Sequence, residues 1–173
     1  MDPFSEKGVK PESVKGHLEF KNIDFAYPTR PDVPILKQFN LTVEPGTTVA
    51  LVGQSGSGKS TCVGLLERFY LPASGSISLD GIPIETLNVG WLRAQIGFVG
   101  QEPVMLAGTI RENVSWGSPT PVTDEQIWNA LEQANALAFV SDLPDKLDTW
   151  LGERGANLSG GQCVSLFASC SLG

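Results

Sequence analysis

After Arg154 the chain carries no charged side chain, although charged residues make up 18% of the whole. It has one histidine, His17, and three cysteines, Cys62, Cys163 and Cys170. These are too few and too scattered for a zinc or disulfide pattern, so the thiols read as reduced cytosolic cysteines. No run of 18 apolar residues occurs, and nothing in the sequence therefore reads as a membrane span. Met1-Asp2-Pro3-Phe4-Ser5-Glu6 lacks the basic and apolar regions of a signal peptide. Basic charge is also scarce: 12 Lys and Arg stand against 19 Asp and Glu, a net charge of −7. That balance argues against nucleic acid or an anionic bilayer as the main partner, because both call for a basic face.

What is present is a globular composition. Hydrophobic residues are 41% of 173, one domain's worth and enough for a core. No internal repeat or low-complexity run is visible. Residues 1–16 contain Pro, Gly and Lys and read as an extended linker. Leu18, Phe20 and the run from Ile23 to Ala26 read as an early strand. Asp80-Gly81 separates Ser76-Ile77-Ser78-Leu79 from Ile82-Pro83-Ile84, which predicts an antiparallel hairpin. Thr123-Asp124-Glu125-Gln126 is a capping-box start, and Ile127, Trp128, Leu131 and Ala134 give the helix after it an apolar face. The four tryptophans, at 91, 116, 128 and 150, read as core or packing residues.

The chemistry begins with Gly53-Gln54-Ser55-Gly56-Ser57-Gly58-Lys59-Ser60, which fits G-x-x-x-x-G-K-S/T. Thr47 to Val52 before it is short, β-branched and apolar, the pattern of a buried parallel strand. After it, Cys62, Val63, Leu65, Leu66 and Phe69 recur near a 3.6 period, which predicts a helix from Lys59. Glycine permits the dihedrals and close approaches such a loop needs. Backbone N–H groups from Ser55 through Gly56, Ser57, Gly58, Lys59, Ser60 and Thr61 can then converge on phosphate oxygens at a positive helix terminus. Lys59 would reach the β and γ phosphates, and the Ser60 hydroxyl would ligate Mg²⁺. The alternative is a flexible Gly/Ser loop that matches by chance; strand before and helix after weigh against it. Asn-Lys-x-Asp and Asp-x-x-Gly strings, which a GTPase would carry, do not occur. Ile96 to Val99 reads as another short strand, leading to Gln101. Strands alternating with helices, an antiparallel piece, and a helical insertion between Gln101 and Ser159 give an α/β fold.

The later motifs choose among phosphate-loop proteins. Leu158-Ser159-Gly160-Gly161-Gln162, Gln101 in Val99-Gly100-Gln101-Glu102-Pro103, and Tyr27 in Phe25-Ala26-Tyr27-Pro28 strongly resemble the nucleotide-binding domain of ABC transporters. The resemblance is closer to P-glycoprotein-like multidrug exporters, through Tyr27-Pro28-Thr29-Arg30-Pro31, Gly108-Thr109-Ile110-Arg111-Glu112-Asn113 and Gly152-Glu153-Arg154-Gly155. It covers roughly residues 2–162. It implies a phosphate-loop ATPase core that binds ATP and Mg²⁺, with Tyr27 stacked on adenine, although a Tyr before Pro could also simply end a strand. Gln101 would touch Mg²⁺ and the attacking water. Ser159, Gly160, Gly161 and Gln162 would contact, from a helix start capped by Ser159, the ATP held by a second copy in a head-to-tail dimer. Transmembrane domains of an exporter would be the other partner, at the cytoplasmic face of a membrane. Glu153 and Arg154 either face those partners' loops or form a solvated pair.

Past Gln162 the resemblance stops. The family continues into a basic helix, a strand ending in Asp-Glu, and a histidine, whereas residues 163–173 form an uncharged tail too short for both helix and strand. On that reading residues 1–16 are a linker from an absent upstream membrane domain, residues 17–162 a partial domain incomplete at its C-terminus, and no general base is present. The expected function is that of a partial ATP-binding domain of an ABC exporter, coupling ATP binding and hydrolysis to transport across a membrane, with no hydrolysis expected of this chain alone. The alternatives are a fragment that binds ATP or a partner domain without turnover, and a truncated product with no function.

Overall fold

A computed structural model describes residues 6–100, 105–116, 118, 120–155 and 157–170. The chain divides into two compact units, Met1–Ile96 and Gly97–Gly173, each with its own apolar cluster. The class is α/β, with helices and antiparallel sheet.

In the first unit, β1 (Leu18–Ala26) lies between β2 (Pro34–Val43) and β3 (Ser74–Leu79), and β4 (Ile82–Pro83) extends the sheet beyond β3. All of these pairings are antiparallel. The predicted hairpin forms at Asp80-Gly81, where both residues take positive φ (52° and 79°), as a tight right-twisted turn demands. Phe20, Ile23, Phe25, Leu36 and Ile77 bury one side of the sheet together with Cys62 and Leu65 of α1 (Lys59–Leu66) and Leu92 of α2 (Val89–Ala94). Helix α1 ends at Leu66, so Phe69 falls outside it and is exposed rather than on the buried face the periodicity predicted.

Two predicted strands do not form. Residues 47–54 and 96–100 have no strand pairing, and Val52 is 94% exposed. A parallel strand buried on both faces exists only between lateral partners, and among the described residues neither run has one. An apolar, β-branched run without a partner offers its backbone no ladder to join.

Of the segment expected as a linker, residues 6–16 are described, and they are tied to the first unit. Val9 bridges Leu87 in parallel, with its N–H donating to the Thr86 carbonyl at 2.9 Å and its carbonyl accepting from Asn88 at 2.9 Å. The Asp80 carboxylate accepts N–H bonds from Lys15 (2.7 Å), Gly16 (3.4 Å) and His17 (2.8 Å). Partial burial works to raise the Asp80 pKa, and those N–H bonds with the Lys15 charge outweigh it, so the carboxyl sits below its ordinary value. A depressed carboxylate stabilises the fold above its unfolded pKa and stops doing so as pH falls through the folded value. Asp80→Ala should therefore lower stability by about 1 kcal/mol at pH 7. The difference from wild type should shrink below about pH 4, as read from urea midpoints. A difference that holds unchanged down to pH 2 would show that the carboxylate charge is not what matters.

Among its described residues the second unit contains β5 (Gly108–Thr109) paired with β6 (Trp150–Leu151), and the α-helices α3 (Ile110–Val114), α4 (Asp124–Gln133), α5 (Leu137–Ser141) and α6 (Gly160–Cys170). The capping box predicted at Thr123 is present, with Gln126 N–H and side chain reciprocating, and Thr109 and Glu112 form a second one. Ile110, Leu131, Val140, Leu151 and Leu166 share one core. Residues 162–170 of the uncharged run thus belong to one packed helix, with Leu166 and Ser169 fully buried.

Candidate nucleotide site

The phosphate loop is built by glycines at two demanding positions. Gly56 (φ 82°) and Gly58 (φ 93°) both lie in the left-handed region. Gly58 is also buried, and a Cβ there would stand 2.7 Å from the Leu36 side chain. The loop therefore packs directly against strand β2 at Gly58, while residues 52–57 remain exposed. Gly58 caps α1 without any side-chain bond, and the first turn of α1 holds no acidic residue. The N–H groups of that turn have no partner inside the helix. Its partial positive charge is likewise uncompensated.

Lys59 curls over the loop. Its ammonium donates to the carbonyls of Gly53 (2.7 Å) and Gln54 (2.8 Å), with Ser57 Oγ at 3.4 Å. The cation is thereby held against the backbone of the loop. Ser60, one residue on, is exposed. Open N–H groups, one fixed ammonium and a free hydroxyl make a donor set suited to a polyphosphate with a divalent cation. Cys62 sits beneath, and burial pushes its thiol pKa up, as expected for an unreactive packing residue.

Tyr27 joins the loop from the end of β1. Its hydroxyl shares a 2.9 Å hydrogen bond with the Thr61 hydroxyl of α1. Its ring meets Phe25 (5.1 Å between centroids, 79°) and Tyr70 (5.2 Å, 90°) edge to face. Sequence reasoning did not single out Tyr70, which lies past the end of α1, where helical periodicity carries no information; its only signal was an aromatic pair, Phe69-Tyr70, beside the phosphate loop.

The signature residues belong to the second unit. Ser159 N–H donates to the Gln162 side-chain oxygen (2.9 Å), and Gln162 N–H donates to Ser159 Oγ (3.3 Å), so the motif caps its own helix, α6. Gly160 and Gly161 are exposed and a Cβ at either would meet nothing within 4 Å. Internal packing thus does not require glycine at either position, and the helix start stands open. Glu153 is exposed on a short turn. Gln101 lies outside the described residues. Trp116 and Trp150, expected as core or inter-lobe packing residues, are not in the core: they are 70% and 62% exposed and line one groove with Leu106 and Glu112. Trp91 and Trp128 do pack, partly buried, against the two cores.

The ABC transporter family model matches residues 36–170. ABC transporter B family member 3 of Dictyostelium discoideum is 53% identical over 161 residues, covering 93% of this chain and 11% of that protein. ABC transporter B family member 1 of Arabidopsis thaliana is 54% identical over 158 residues, covering 91% and 12%. Multidrug resistance protein 4 of Entamoeba histolytica is 51% identical over 164 residues, covering 94% and 12%. Among solved structures, a bacterial Atm1-family ABC exporter with ATP bound superposes with a TM-score of 0.85 at 33% identity, over 96% of this chain and 30% of that one. The chain thus spans about an eighth of the length of its curated relatives.

Proposed function

Because the chain belongs to the ABC transporter family, we propose that it is the ATP-binding part of a membrane exporter, and that its loop, Lys59 and Tyr27 form the nucleotide site. The observation that carries this is the exposed phosphate loop opening onto the uncompensated N-terminus of α1, with the Lys59 ammonium held over it. The N–H groups from Ser55 to Thr61 hold the phosphates, Lys59 neutralises the outer ones, and the Tyr27 ring supports the adenine. Mg²⁺, held by Ser60 and Gln101, would neutralise charge on the outer phosphates.

Ser159, Gly160, Gly161 and Gln162 approach the nucleotide of a second nucleotide-binding domain, and the open start of α6 supports that role. ATP then joins two such domains head to tail, and closure moves the attached transmembrane domains. The site lies on the cytoplasmic face of a membrane, and no described helix is long and apolar enough to cross one itself. Gln101 positions the attacking water.

Titration of Mg-ATP and Mg-ADP into the chain, followed by calorimetry, tests the base platform. Tyr27→Ala should weaken both nucleotides alike, by about 1 kcal/mol from lost stacking. A loss confined to ATP would remove Tyr27 from the base and place it on the γ-phosphate side.

A further inference from the structure

Tyr27 is held from three sides, and only one of its contacts touches the phosphate loop. The Thr61 hydroxyl, on the buried side of the first turn of α1, bonds the Tyr27 hydroxyl at 2.9 Å. Tyr70 meets the Tyr27 ring at 90°, with 5.2 Å between centroids, and itself leans on Phe25 at 5.7 Å. Neither contact is needed to hold β1 in its sheet, whose pairing ends at Ala26 opposite Pro34. Both constrain how the Tyr27 ring stands relative to the helix whose N-terminus faces the phosphates.

We propose that Thr61 and Tyr70 are positioning residues for Tyr27: they fix its ring relative to the phosphate loop, so that base and phosphates are bound as one preorganised unit. This rests on the reading of Tyr27 as the base platform. A free Tyr ring has two rotatable side-chain torsions. An edge-to-face neighbour restricts the tilt of the ring, and a hydroxyl bond at its tip restricts where that tip lies. Freezing the ring before binding removes an ordering cost that the nucleotide would otherwise meet. The phosphates gain from this only when a base is attached to them.

The test is a double-mutant cycle on the full chain, titrated with Mg-ATP and, separately, with Mg-tripolyphosphate, which has no base. Tyr27→Phe keeps the ring and removes the hydroxyl; Thr61→Val removes the other hydroxyl at similar volume. Each should weaken Mg-ATP about five-fold. The double variant should be no weaker than the poorer single variant, and Thr61→Ser should restore binding. Tyr27→Phe should leave tripolyphosphate affinity unchanged. Tyr70→Leu should weaken Mg-ATP about three-fold without affecting tripolyphosphate, and Tyr70→Phe should bind like wild type. Melting temperatures of all variants check that each one folds. Multiplicative single effects in the double variant, or equal losses with ATP and tripolyphosphate, overturn the inference while leaving Tyr27 as a platform. No effect of Tyr27→Ala on Mg-ATP overturns the platform itself, and the inference with it.

Discussion

Replacing Lys59 with alanine should weaken Mg-ATP binding by about 1.5–3 kcal/mol, a loss of roughly 10- to 150-fold in affinity. Lys59 is the only cation of the loop, and its ammonium is already pinned to the carbonyls of Gly53 and Gln54. A phosphate that arrives therefore meets a charge in place rather than one that must be recruited from solvent. Truncation removes that charge and also leaves two carbonyl oxygens turned toward the same space, where they repel an anion. The loop is exposed, so folding itself should change little, by less than about 0.5 kcal/mol. Calorimetry on wild type and variant decides the matter, and equal dissociation constants would take the nucleotide away from this loop. Lys59→Arg should recover only part of the loss, because a planar guanidinium does not fit the point occupied by an ammonium between two carbonyls.

The second large effect concerns the uncharged run at the end of the chain. Leu166→Ala should destabilise the second unit by about 2–5 kcal/mol, since Leu166 is fully buried among Ile110, Leu131, Val140 and Leu151 and its removal leaves a cavity. Val164→Ala, on the exposed side of the same helix, should cost under about 0.5 kcal/mol. Amide exchange followed by mass spectrometry would place the change: protection should fall across 105–170 and persist in 18–43, because each unit has its own core. Equal urea midpoints for Leu166→Ala and Val164→Ala would mean that α6 is not packed as described.

Local chemistry was legible in the sequence wherever it was self-sufficient. The Asp80-Gly81 turn, the Thr123 capping box and the Ser159 cap each specify their structure within four residues, and each appears as expected. The phosphate loop belongs with them, because its glycines dictate its path. Strand β2 was harder to see. Gln38 takes positive φ in the middle of it and its pairing with β1 shifts register three times, so the alternation a reader looks for is broken. The N–H and side chain of Gln38 instead bind Asp24, a tertiary partner that no local pattern announces.

Thr47 to Val52 and Ile96 to Val99 failed in the opposite direction. Their composition is that of buried parallel strands, but composition states only what a segment can become when flanked. Strand identity there is conferred by neighbours, which the described residues do not provide. The exposed tryptophans teach a related point: Trp116 and Trp150 look like core residues by type, and only their surroundings reveal the groove they share. In the site, the sequence pointed to Tyr27 and Thr61 separately. Their shared hydrogen bond depends on where β1 ends relative to α1, a matter of sheet packing that no motif encodes.

The stitching of residues 7–17 has a mechanical consequence. A loose tether dissipates any tension placed on it by straightening. Here the backbone of Val9 is hydrogen-bonded on both sides to 86–88, and Lys15, Gly16 and His17 hang from one carboxylate at the β3–β4 turn. A displacement applied at Glu6 would reach the sheet within a few residues, and through β1, which starts at Leu18, would travel the length of one strand to Tyr27. Residues 7–17 are thus held as a short strap fastened at two points, with little slack to take up before the load reaches β1.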